Sequence, residues 1–165
     1  MKKNLSIFIL TITISIGVQA QEDIRIGALV GYGSEIESFG VGVNAEFPVM
    51  KNLTVSPSFV FYLPKDDDFI KTNVFEFNAN ANYYFLTTDA LGVYGLAGVN
   101  YSHVKTDIDF GILGDGSTSE GKVGLNIGAG TNFNLGGRIL PFAEVKYILS
   151  DFDQFVIAAG VKFNL

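Results

Sequence analysis

The chain has 165 residues, no cysteine and a formal net charge of −6. The lack of cysteine excludes a disulfide-stapled secreted scaffold, and the acidic balance excludes a nucleic-acid binder, which needs a basic surface. Hydrophobic residues make up 48% of the chain and charged residues 17%, yet no segment past the N terminus approaches the about eighteen consecutive apolar residues of a spanning helix.

Residues 1–20 read as a secretory signal. Lys2 and Lys3 form its basic start, residues 5–18 are apolar or small, and Val18-Gln19-Ala20 fits a small-x-small cleavage site. The apolar run is too short for a membrane anchor. The mature chain is expected to begin at Gln21 and to form one domain over residues 21–165. Loss of Lys2 and Lys3 would leave it more acidic still.

Beyond the signal the chain alternates. A first strand over residues 24–33 sends Ile24, Ile26, Ala28, Val30 and Tyr32 to one face and Arg25, Gly27, Leu29 and Gly31 to the other. This period of two is the geometry of a strand. The same pattern predicts strands over residues 39–47, 53–62, 75–85, 91–101, 123–133, 141–148 and 154–165. Pro57 falls inside the third, where it removes a ladder donor, and predicts a bulge. The gaps at 48–52, 86–90 and 134–138 are short. The gaps at 63–72 and 102–121 are long, and they read as loops.

The two faces differ in kind. One carries Val, Ile, Leu and Ala with aromatics at its ends. The other is Gly, Asn, Ser and Thr with few charges. A soluble barrel of the lipocalin kind would put Lys and Glu outside and apolar residues inside. The reverse arrangement suits a barrel facing lipid. Short turns at one end, long loops at the other and an even strand count predict both termini in the periplasm. Under that assignment Tyr32, Phe39, Phe61, Phe75, Tyr101, Tyr147 and Phe155 form an outer aromatic girdle. Phe47, Tyr83, Phe85, Phe133 and Phe163 form an inner one.

On these alternations, turns and girdles, residues 21–165 resemble the small eight-stranded outer-membrane barrels of the OmpA/OmpX type. The resemblance implies an all-β fold: an eight-stranded antiparallel up-and-down transmembrane β-barrel in the cell outer membrane. It also implies dependence on the barrel assembly machinery and contact with outer-membrane lipid and lipopolysaccharide. Family barrels usually end in an aromatic; here Phe163 stands two residues before the terminal Leu165. No residues remain for a wall-binding domain, so no peptidoglycan tether is expected.

Six charges point inward: Arg25, Lys146 and Lys162 against Glu46, Glu76 and Glu144. Buried charge is costly unless paired, so these predict a structural ion-pair network that fills the lumen, with Arg25, Glu46 and Lys162 together near the periplasmic mouth. The alternative is a small passive pore for ions or small solutes, lined by movable salt bridges. The outer loops carry Asp66, Asp67, Asp68, Asp107, Asp109 and Asp115, which keep them solvated and are possible oxygen ligands for divalent cations. No EF-hand spacing is present, and no resident metal or cofactor is expected.

Two motifs carry no chemistry. Residues 116–122 fit G-x-x-x-x-G-K, but the next residue is Val123 rather than Ser or Thr, and the lysine opens a strand rather than a helix. Ser102 and His103 are adjacent in a strand, so they face opposite sides and cannot act as nucleophile and base. A lipid-modifying enzyme is therefore the least supported reading. The leading one is an integral barrel with a structural or surface-interaction role.

Overall fold

The computed structural model describes residues 24–67, 70–109, 115–151 and 153–165; the expected signal lies outside them. Eight strands follow one another: β1 (Arg25–Gly33), β2 (Ser38–Met50), β3 (Leu53–Asp67), β4 (Ile70–Thr87), β5 (Leu91–Asp109), β6 (Asp115–Phe133), β7 (Ile139–Leu149) and β8 (Gln154–Asn164). Each pairs antiparallel with its chain neighbours, and β1 pairs with β8, closing the barrel. Closure leaves no strand edge in the wall, which is what allows a sheet to cross lipid.

The alternation settles the two faces as expected. Outward Val30, Val43, Val99, Leu125, Ile127 and Ile157 are all exposed, whereas inward Glu46, Glu76, Asn78, Asn126 and Lys162 are all buried. The aromatic ends also come together around the rims. Tyr32 sits opposite Phe39 in the β1–β2 ladder, Phe61 opposite Phe75 and Tyr147 opposite Phe155.

Two expectations are corrected. The segments at 63–72 and 102–121 are mostly strand: β3 and β4 run to Asp67 and from Ile70, and β5 and β6 run to Asp109 and from Asp115. The chemistry of the outward face changes there, from Tyr101 to His103, Lys105 and Asp107, because a strand that has left lipid faces water on that side. These four strands project past the rim as one sheet, since β7 stops pairing with β6 at Leu125. The turn expected at 48–52 shrinks in the same way, because β2 continues to Met50.

The second correction is Pro57, where there is no bulge. The β2–β3 ladder keeps one register from Asn44↔Ser58 to Phe47↔Val55 and skips the two intervening pairs, while the β3–β4 ladder is unbroken through Pro57↔Ala79. The missing donor thus costs bonding on one side only. The register shifts fall instead between Pro48 and Met50, Tyr62 and Lys65, and Tyr84 and Leu86, all near strand ends.

Candidate functional site: the lumen

Inward side chains from all eight strands fill the barrel, and they do so in three groups. Nearest the termini is Glu46 of β2. Its Oε2 accepts from Lys162 Nζ at 2.7 Å, and its Oε1 lies 3.5 Å from Arg25 Nη1. Thr54 Oγ1 donates to the same carboxylate at 2.9 Å, as does Tyr84 Oη. Lys162 also donates to Asn132 Oδ1 at 3.1 Å, and its ammonium lies 4.6 Å from the Phe142 ring centroid. The side chains of Glu46 and Lys162 are both 1% exposed. A buried carboxylate is tolerable only with such a full set of donors.

The middle group is amide. Asn78 Oδ1 accepts from Asn100 Nδ2 at 2.9 Å, Asn126 Nδ2 at 2.9 Å and Lys146 Nζ at 3.0 Å. Asn126 also donates to Asn80 at 2.7 Å, and Ser102 Oγ donates to Asn100 Oδ1 at 2.8 Å. Asparagine suits this place because one side chain both donates and accepts, linking strands across a narrow lumen without charge.

Toward the far end, Glu76 Oε2 pairs with Lys146 Nζ at 3.5 Å, and its Oε1 accepts from Tyr62 Oη at 3.3 Å and from Gln154 Nε2. Above it lies an apolar cap. Ile36, from the turn between β1 and β2, packs with Leu29 and Val104 against Val60, Tyr62 and Val74. Glu37, next to Ile36, takes a φ of 49°, a left-handed conformation that turns the chain at this point.

The six lumen charges named from the sequence therefore fall into one group of three, one pair and one exception. Arg25, Glu46 and Lys162 meet; Glu76 and Lys146 meet. Glu144 instead accepts from Tyr94 Oη at 2.9 Å. Sequence reasoning missed the hydroxyl and amide partners Thr54, Tyr62, Tyr84, Tyr94, Asn132 and Gln154. Their signal was present as polar side chains at inward positions, but which acid each would reach depends on barrel shear.

At the far end, Asp107 pairs with Lys105 at 3.0 Å on the outer face. Asp68 lies outside the described residues, as do the side chains of Asp66, Asp67, Asp109 and Asp115. Among the described residues, no group of three or more His, Asp or Glu side chains is placed to hold a metal ion. His103 stacks outward on Phe75, with ring centroids 4.9 Å apart, while Ser102 faces the lumen. Lys122, at the end of the G-x-x-x-x-G-K segment, lies in a strand and pairs with Glu120 at 2.8 Å and Asp151 at 3.6 Å.

Solved structures share this architecture. The N-terminal β-barrel domain of Pseudomonas aeruginosa OprF is 19% identical, with a TM-score of 0.68 over 89% of this chain and 100% of that one. Ail, the attachment invasion locus protein of Yersinia pestis, is 20% identical, with a TM-score of 0.59 over 86% and 97%. A major outer membrane protein from Thermus thermophilus is 12% identical, with a TM-score of 0.67 over 88% and 100%. Identities this low speak to fold alone. Comparison with curated protein sequences finds no significant relative. The model of the outer membrane protein beta-barrel domain matches residues 6–164. A closed eight-stranded wall, apolar outside and polar inside, and that match together place the chain in the outer membrane protein β-barrel domain family.

Proposed function

We propose that this outer-membrane barrel has a structural and surface-interaction role, with its lumen closed to ions and solutes and its projecting β3–β6 sheet outside the cell. The termini and the short turns then lie in the periplasm. The observation that carries the reading is Glu46, held by Lys162, Arg25, Thr54 and Tyr84 in one buried cluster. Such a cluster holds β1, β2, β3, β4 and β8 in register and occupies the space that a pore would need. A fixed charge pair with this many hydrogen bonds does not move aside cheaply.

The outer surface is the part left to act. Above the girdle the β5 face is polar, with Lys105 and Asp107 exposed. Ail has been solved with the heparin analogue sucrose octasulfate; the acidic far end of this chain selects against so anionic a ligand. Lipopolysaccharide bridged through divalent cations suits it better, because carboxylates and phosphates share hard cations. No catalytic role is assigned. Ser102 and His103 face apart, so they form no nucleophile and base.

Topology is tested by cysteine labelling, since the chain has no native cysteine. Lys105→Cys should react with a membrane-impermeant maleimide on intact cells, and Asn134→Cys only after the outer membrane is opened. The opposite result would overturn the orientation and the surface role with it.

A further inference from the structure

One backbone carbonyl in the lipid-facing wall has lost its donor. Between Asn44↔Ser58 and Phe47↔Val55 the β2–β3 ladder skips the positions where Ala45 faces Pro57 and Glu46 faces Ser56. The carbonyl of Phe59 lies against Gly42 on β2. A strand turns the bonding groups of every second residue to the same side, so Pro57 aims its ring nitrogen at β2. That nitrogen carries no hydrogen. The bond it would give to the Ala45 carbonyl closes the first skipped pair and flanks the second, which is why both are missing. Among the described residues no side chain donates to this carbonyl instead. The hydrocarbon region holds no water to replace the donor, so an unmet carbonyl there is costly.

The gap lies in a trough on the outside of the barrel. The trough holds about 610 Å³, and Ala45 and Pro57 line it together with Ala28, Phe59, Phe77 and Phe163. Two cross-strand rows build it. Phe163, Ile26 and Ala45 stand side by side in one row, and Ala28, Val43, Phe59 and Phe77 in the next. The small residues Ala28, Ala45 and Pro57 leave the floor low. The rings of Phe59 and Phe77, with centroids 4.8 Å apart, stand on one side of it and Phe163 on the other. Ala45 is two residues inside Phe47 of the aromatic girdle nearest the termini. The gap therefore sits just inside the depth of the lipid headgroups, where a lipid's chains join its glycerol.

The trough is continuous with the lipid-facing wall, so its occupant is a membrane lipid. At this depth a two-chain phospholipid offers only ester oxygens, which accept; its donors lie further out, in the headgroup. We propose that the trough binds a single-chain phospholipid, a lysophospholipid, whose acyl chain lies over Ala28, Ala45 and Pro57 and whose free glycerol hydroxyl donates to the Ala45 carbonyl. One trough takes one chain, and one unmet acceptor takes one donor. The site goes beyond the surface role and rests on the lipid-facing wall alone. Neither the orientation of the barrel nor the closure of its lumen enters into it.

The test is native mass spectrometry of the refolded protein, released from amine-oxide detergent micelles that carry no hydroxyl. Three probes are compared at equal concentration: 1-palmitoyl-lysophosphatidylcholine, its 2-O-methyl ether and dipalmitoyl phosphatidylcholine. The wild-type protein should take up one lysophospholipid and bind the other two about tenfold more weakly or worse, as loss of one donor to a desolvated acceptor implies. Pro57→Ala restores the missing N–H, so it should bind the lysophospholipid and its ether equally. Ala45→Phe fills the trough and should lose all three. Heat-dependent gel mobility would show that each variant is folded, and the comparison of probes on the wild-type protein needs no variant. Equal binding of the lysophospholipid and its ether by the wild-type protein would overturn the proposal, as would a folded Ala45→Phe that binds like wild type. A protein dimer that forms without lipid and is lost in Ala45→Phe would assign the trough to a second copy and overturn it too. Cysteine labelling is untouched by any of these results, so failure here and failure of the surface role are separable.

Discussion

Replacing Lys162 with methionine removes the ammonium from Glu46 while keeping much of the side chain's bulk. Removing one partner of a buried ion pair costs roughly 3–5 kcal/mol, because the remaining charge is left uncompensated. Here Arg25 stays 3.5 Å from the carboxylate with its side chain 18% exposed, so it offsets part of the loss. Thr54 and Tyr84 still donate to Glu46, but Asn132 Oδ1 loses its donor. Lys162→Met should therefore fall at the low end, about 3 kcal/mol, or more than a hundredfold in the folding equilibrium at about 1.4 kcal/mol per tenfold. Glu46→Gln should cost a similar amount, and the double variant Glu46→Gln/Lys162→Met less than the sum of the two. Urea titrations in lipid vesicles, followed by heat-dependent gel mobility, would measure all three. Single-variant costs below about 1 kcal/mol, or strict additivity in the cycle, would refute the claim that this pair is buried and coupled.

The wall, the lumen and the projecting sheet offer further checks. Ala129→Arg, outward and near the bilayer midplane, should cost about 2–4 kcal/mol and Val123→Arg near the rim about 0–1; equal small costs in a folding titration would argue for a soluble barrel. Gly98→Ala would bring a Cβ to 2.6 Å from the Asn80 Cα, and overpacking of this kind costs roughly 1–3 kcal/mol; an unchanged urea midpoint would mean the strands are further apart. Tyr94→Phe leaves Glu144 without the hydroxyl it accepts from and should destabilise by about 1–3 kcal/mol, read in the same titration. Chelation in lipopolysaccharide-containing membranes should speed proteolysis at the tips of the β3–β4 and β5–β6 hairpins while the barrel stays folded; identical cleavage with and without chelator would leave those acids a solvating role only.

How far the fold could be read in advance depended on where each residue's surroundings are local. Ile26, Ala28 and Val30 against Arg25, Gly27 and Leu29 assign a strand and its faces at once, because the period of two needs no knowledge of neighbours. The extent of β5 past Tyr101 was not legible, since its outward face becomes polar at His103 and Lys105, as a loop would. Pro57 misled because the residue alone does not say which neighbouring strand loses the donor. In the lumen, the pairing of Glu46 with Lys162 was legible because β2 and β8 both flank β1 and the two charges are opposite. That of Glu144 with Tyr94 was not, although β5 and β7 likewise flank β6, because a neutral hydroxyl gives no charge to match.

The most direct measurement is single-channel conductance of the refolded protein in planar bilayers. A lumen plugged by the Glu46–Lys162 and Glu76–Lys146 pairs predicts no discrete current steps in the wild-type protein across moderate voltages. Steps of reproducible size, carried by the folded wild-type barrel, would contradict the account and make it a pore.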